Sequence, residues 1–112
     1  MNTSDLYALF ENAPHPKQAT PTTYGGYMCE ADPVNECVKL LDINYSAMGG
    51  ISLYVTVPDM IDARIEFEAD GPDTTPDDLH EWLELLDTLR IDLCNAYEWA
   101  HDLLDTTMKG EA

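Results

Sequence analysis

TPDDLHEWLELLDTLRIDLCNAYEWAHDLLDTTMK, residues 75–109, is the stretch that decides the fold. Apolar residues recur at Leu79, Trp82, Leu86, Leu89, Leu93, Ala96, Ala100 and Leu103, in alternating steps of three and four, the spacing of one face of an α-helix. Thr75 suits the cap and Pro76 the first helical position, where no amide hydrogen is needed, while Asp77 and Asp78 favour the positive end of the helix dipole. Lys109 and Gly110 suit the far end. Off the stripe lie Asp77, Asp78, Glu81, Glu84, Asp87, Asp92, Glu98, Asp102 and Asp105, with Arg90 the one cation facing them within the helix. The pattern predicts one amphipathic helix over 75–109, apolar on one side and almost wholly negative on the other.

Such a stripe needs an apolar surface to cover, and the preceding segment supplies it. Leu41, Ile43 and Tyr45 alternate with Asp42 and Asn44, predicting a strand from about Cys37 to Tyr45. After a turn at Met48, Gly49 and Gly50, Ile51, Leu53, Val55 and Val57 alternate with Ser52, Tyr54 and Thr56. A second turn over 58–62 leads to a third strand, with Ala63, Ile65, Phe67 and Ala69 opposed to Arg64, Glu66 and Glu68. Connections this short force antiparallel neighbours, so the strands form a meander. The Gly71-Pro72 pair marks the turn from sheet to helix.

Further upstream, Ser4 can cap a short helix, DLYALFEN, that presents Leu6, Leu9 and Phe10 together and ends before Pro14. Residues 13–23, APHPKQATPTT, read as an extended surface connector. Residues 24–29 fit either a loop or an edge strand. The fold class expected is α+β: an antiparallel meander of three strands, or four if 24–29 joins it, covered by a long C-terminal amphipathic helix, with a short N-terminal helix. All 112 residues belong to one domain: the N-terminal helix and Pro-rich connector over 1–30, the sheet over 36–70 and the acidic helix over 75–109. The helix is longer than a three-stranded sheet can cover, and Leu83, Leu85, Ile91, Tyr97 and Trp99 widen its apolar arc. A homodimer through the long helix, or a docked partner, would bury the surplus.

The chain carries 22 acidic and 5 basic residues, a net charge of -17, beyond the magnitude of about 2 to 8 that solubility asks of a small domain. At 45% apolar residues it is not a disordered tail. A halophilic source or compositional drift are the bland explanations. Otherwise the charge points to a strongly basic partner, and like-charge repulsion opposes direct binding to nucleic acid or an anionic membrane. Three Cys without close pairing, and an N-terminus with neither a basic region nor a long apolar run, lead us to expect a reduced, cytoplasmic protein made without a signal.

Catalytic and metal chemistry find no footing. His80, Cys94 and His101 are too far apart along one helix to share an ion. No GxSxG, phosphate loop or Cys/His setting occurs, and the glycine doublets at 25–26 and 49–50 read as turns. Carboxylates are abundant, but no pair is set apart for acid/base work. The expectation is therefore a non-enzyme without cofactor or metal.

Half of the acids lie in residues 71–112, eleven against two cations. An ordinary solvated helix interleaves Lys and Arg to form i, i+4 pairs; this one does not. Carboxylates one turn apart are roughly 5 Å apart along the axis, comparable to a phosphate row at about 3.4 Å per strand. We therefore expect a small acidic inhibitor that mimics nucleic acid in the basic cleft of a nucleic-acid-binding enzyme, such as a CRISPR or restriction nuclease, in a phage or plasmid setting. The partner-binding residues expected are Asp77, Glu81, Glu84, Asp87, Glu98, Asp102 and Asp105, extended by Glu66 and Glu68 on the sheet, with Trp99 as an aromatic anchor beside Tyr54 and Trp82. The alternatives are an immunity or antitoxin protein against a basic nuclease toxin and an acidic homodimeric chaperone.

Overall fold

The computed structural model describes residues 2–44, 49–57, 60–67 and 76–110. Expectations for Tyr45, Met48, Glu68, Ala69, the 70–74 linker and the Thr75 cap lie outside these residues, as do the side chains of Phe67, Asp78, Leu79, Trp82 and Lys109. The fold is α+β. In order come α1 (Thr3–Glu11), a 3-10 turn (Thr22–Tyr24), β1 (Gly25–Asp32), β2 (Cys37–Asn44), β3 (Gly49–Thr56), β4 (Met60–Phe67) and α2 (Pro76–Gly110). The four strands form one antiparallel meander in the order β1-β2-β3-β4.

Alternation builds the core. Ile51, Leu53 and Val55 of β3 are buried, whereas Ser52, Tyr54 and Thr56 stay partly exposed on the other face. On β2, Val38, Leu40, Leu41 and Ile43 are all fully buried, which simple alternation forbids. The register explains this: Lys39 pairs with Tyr54 but Leu41 with the next residue, Leu53, so Leu40 is an extra residue and the chain bulges there. Such a side chain, fully buried, contributes about 1.5–3 kcal/mol.

The ambiguous segment 24–29 resolves as the start of an edge strand. Gly25 sits at φ +112°, and a Cβ there would collide with the Asp42 carbonyl oxygen of β2. A register shift between Tyr27 and Glu30 breaks the alternation that would have betrayed the strand in sequence. Two expected turns also move. Gly49 and Gly50 pair with Phe67 and Glu66 inside β3, and a Cβ on Gly50 would collide with the Ile43 carbonyl oxygen of β2. Met60 pairs with Thr56, so β4 begins inside the turn expected over 58–62.

α1 starts two residues earlier than Ser4 capping would allow. Its cap is Asn2, whose side chain accepts the Asp5 N–H at 2.9 Å while Asp5 accepts the Asn2 N–H at 3.3 Å, a reciprocal box. Leu6 and Phe10 are buried against the sheet. α2 is unbroken through 35 residues, about 52 Å at 1.5 Å per residue, which accounts for the 54 Å long axis of the molecule. Leu85, Leu89, Ala96, Ala100 and Leu104 form its buried side. Beyond the reach of the sheet, α1 supplies the cover: Phe10 meets Trp99 edge to face, with ring centroids 5.3 Å apart. No helix among the described residues is long and apolar enough to cross a membrane.

Candidate functional site

The outward side of α2 carries two carboxylate groups. Asp77, Glu81, Glu84 and Asp87 follow one another at one-turn steps, roughly 5 Å along the axis, and Glu98, Asp102 and Asp105 repeat the arrangement. All seven are exposed. Between the groups the outward positions fall to Ile91 and Cys94, so the row is split by about 16 Å. From first to last the carboxylates span about 42 Å, the axial length of roughly twelve base pairs.

Compensation on this face is slight. Arg90 approaches Asp87 only to 3.9 Å, and the contacts of His80 with Glu84 at 3.2 Å and of His101 with Asp102 at 3.8 Å are ion pairs only when the imidazole is protonated. Among the described residues no cation lies within 4 Å of Asp77, Glu81 or Glu98.

Asp92, taken from its place in the helix as one more outward acid, is instead fully buried. Its two oxygens accept the N–H groups of Ala19 and Thr20 at 2.7 and 2.8 Å, and its carbonyl accepts the Tyr27 hydroxyl at 3.0 Å. The connector is thus not a plain surface segment; its Thr20 is buried against α2. Burial, and then the Asp92 charge, push the Tyr27 hydroxyl up to about 12.

Of the two sheet acids expected to extend the acidic row, Glu66 is described and exposed. Glu66 alternates with Ile65 along β4 and borders both the open-face recess of Lys39, Asp42, Tyr54 and Arg64 and the groove beside α2 that holds Leu86, Arg90 and Cys94. Glu68 lies outside the described residues. That open face also holds its own cations. Lys39 contacts Asp42 at 2.6 Å, Arg64 contacts Asp62 at 3.0 Å, and Tyr54 lies between them with Arg64 4.9 Å and Lys39 5.7 Å from its ring centre. The Lys39 ammonium is held above its ordinary range, chiefly by its hydrogen bond to Asp42.

Trp99, expected beside the carboxylates, turns towards the core and meets Phe10 and Tyr27 edge to face. The docking of α1 against α2 draws it inward. Among the described side chains of α2, Tyr97 is the aromatic left outside: it is 48% exposed and stacks on His101, next to Glu98 and Asp102. Near the other carboxylate group, Pro21 and Tyr24 line a shallow recess with Glu81, Glu84 and Thr88. Neither feature was legible before folding, since Tyr97 flanks the apolar stripe and Pro21 is distant in the chain. Among the described residues no cluster of three or more His, Cys, Asp or Glu is placed to hold a metal.

No protein-family model matches this chain, and no curated protein or solved structure matches it either.

Proposed function

We propose that this protein is a small acidic inhibitor that occupies the basic cleft of a nucleic-acid-binding enzyme, such as a CRISPR or restriction nuclease, with its carboxylates standing in for phosphates. The observation that carries the proposal is the outward side of α2: an unbroken helix displays exposed Asp77, Glu81, Glu84, Asp87, Glu98 and Asp102, and among the described Lys and Arg side chains only Arg90 comes within 4 Å of any of these six, at 3.9 Å from Asp87. Such an array releases the counterions of a basic cleft as a nucleic acid would, and its field accelerates the encounter. The inhibitor and the nucleic acid then compete for the same Lys and Arg. Tyr97 supplies the aromatic contact that charges at a rim lack.

Retrieval from a host lysate at low and at high salt tests this reading. A DNA- or RNA-binding enzyme should be captured at low salt and lost steeply as salt rises. Changing Glu81, Glu84, Glu98 and Asp102 together to Lys should abolish capture while circular dichroism stays native. Capture indifferent to salt would overturn the proposal in favour of the acidic homodimeric chaperone. The same surface would serve an immunity protein against a basic nuclease toxin, and a toxin gene next to this one separates those two cases.

A further inference from the structure

We infer that the outer edge of β4 and the apolar groove beside it form a docking track for an extended segment of the partner in which apolar residues alternate with Lys or Arg. Three observations meet there. β4 is an end strand of the sheet, and among the described residues no strand pairs with its outer side, which leaves a row of backbone N–H and C=O groups ready to accept an added strand. Towards the helix layer, its alternate residues lead into a groove of about 300 Å³ walled chiefly by Ile51, Ile65, Leu86, Leu89, Leu93 and Cys94, with the charged Glu66 and Arg90 also among its lining residues. Ile65 is 68% exposed although it lies on the face that is buried elsewhere in the sheet. On the opposite face the same strand shows Asp62, Arg64 and Glu66; Arg64 is already engaged by Asp62 at 3.0 Å, and no cation lies within 4 Å of Glu66 among the described residues.

A strand added beside β4 meets these two rows alternately, because successive side chains point to opposite faces. Residues beside Ile61, Ala63 and Ile65 enter apolar surroundings. Their neighbours lie beside Asp62 and Glu66, where an opposite charge directly across the strand pair stabilises and a like charge destabilises. The net charge of -17 selects the sign of the occupant: it draws a cationic segment and opposes a second copy of this chain. The track rests on the proposal that the partner is cationic, and adds to it an apolar anchor that a nucleic acid cannot match, so part of the affinity survives salt.

The test uses the full chain with two nine-residue peptides of equal charge, one alternating Lys with Ile and the other Lys with Ser, read by amide NMR and by alkylation of Cys94. Cys94 is exposed, whereas Cys37 is buried and Cys29 half-buried, and burial raises both of the latter thiols, so a maleimide reports on the groove. The Lys/Ile peptide should shift amides across 60–67 and slow Cys94 alkylation about tenfold at saturation, with part of the effect persisting in roughly 0.5 M salt. The Lys/Ser peptide should shift only outward amides of α2, and only at low salt. Ile65→Glu, at an exposed position the fold tolerates, should abolish the first response and spare the second. If both peptides shift the same α2 amides and Cys94 stays fully reactive, the track is wrong while the acidic-face proposal stands. If neither peptide binds at low salt, both fall. Protection of Cys94 that grows with protein concentration in the absence of peptide would assign the groove to a second copy and overturn the inference.

Discussion

A carboxylate without exposed surface persists only where each oxygen finds a donor, and Asp92 finds the N–H groups of Ala19 and Thr20. Replacing it with Asn keeps one acceptor but aims an amide N–H at a backbone N–H. Asp92→Asn should therefore cost about 2 kcal/mol and Asp92→Ala about 3 kcal/mol, because both leave buried donors unpaired. Urea unfolding checks this: the midpoint should fall with the slope unchanged. Tyr27 adds a pH dependence. Its folded value, about 12, stands above the ordinary 10, so the folded state holds the proton more tightly than the unfolded chain. Stability is unaffected by Tyr27 below pH 10, and it should fall as pH rises from 10 to 12. Tyr27→Phe should remove its share of this decline, as alkaline unfolding curves would reveal.

Elements differ in how openly the sequence announces them. β3 obeys one period throughout and stands where that period places it; α2 forms where its spacing places it, but its buried side also takes in Leu85, Asp92 and Leu104, which the spacing left off the stripe. β1 carries a register shift between Tyr27 and Glu30, β2 a bulged Leu40, and neither irregularity has a local signature strong enough to read in advance. The β1–β2 turn stores strain at one residue, since Glu36 adopts φ 52°. Its neighbour Asp32 holds the turn by accepting the Val34 and Asn35 N–H groups at 3.1 and 3.2 Å, which with the Asn35 side-chain bond keeps its carboxyl below the usual range. Glu36→Gly should raise stability by about 0.5–1 kcal/mol, the left-handed cost relieved less the added freedom of the unfolded chain. An unchanged urea midpoint would show that the turn absorbs the strain elsewhere.

Across the whole molecule, charge is sorted by layer. The open sheet face keeps Lys39 and Arg64 with Asp42 and Asp62, while among the described Lys and Arg side chains the outward side of α2 holds Arg90, 3.9 Å from Asp87. Carboxylates so arranged repel one another, and screening relieves the repulsion. Thermal unfolding should therefore move upward with added NaCl, by about 5 °C between low salt and 1 M if roughly 1 kcal/mol is regained. Changing Glu81, Glu84, Glu98 and Asp102 to Lys should flatten that dependence. A melting temperature indifferent to salt would show that the acidic face carries no appreciable self-repulsion.

What local pattern determines here is the kind and order of elements: a helix of three- and four-residue steps, strands of period two, links too short for anything but a meander, and an acid excess concentrated in the last third. Periodicity and connection length act over a few residues, so the chain displays them directly. Which carboxylates face solvent is another matter. The donors that bury Asp92 come from residues 73 and 72 positions away, and Trp99 is drawn inward by Phe10 of the first helix. Burial and facing depend on which distant segments meet, and only the packed chain brings those segments together.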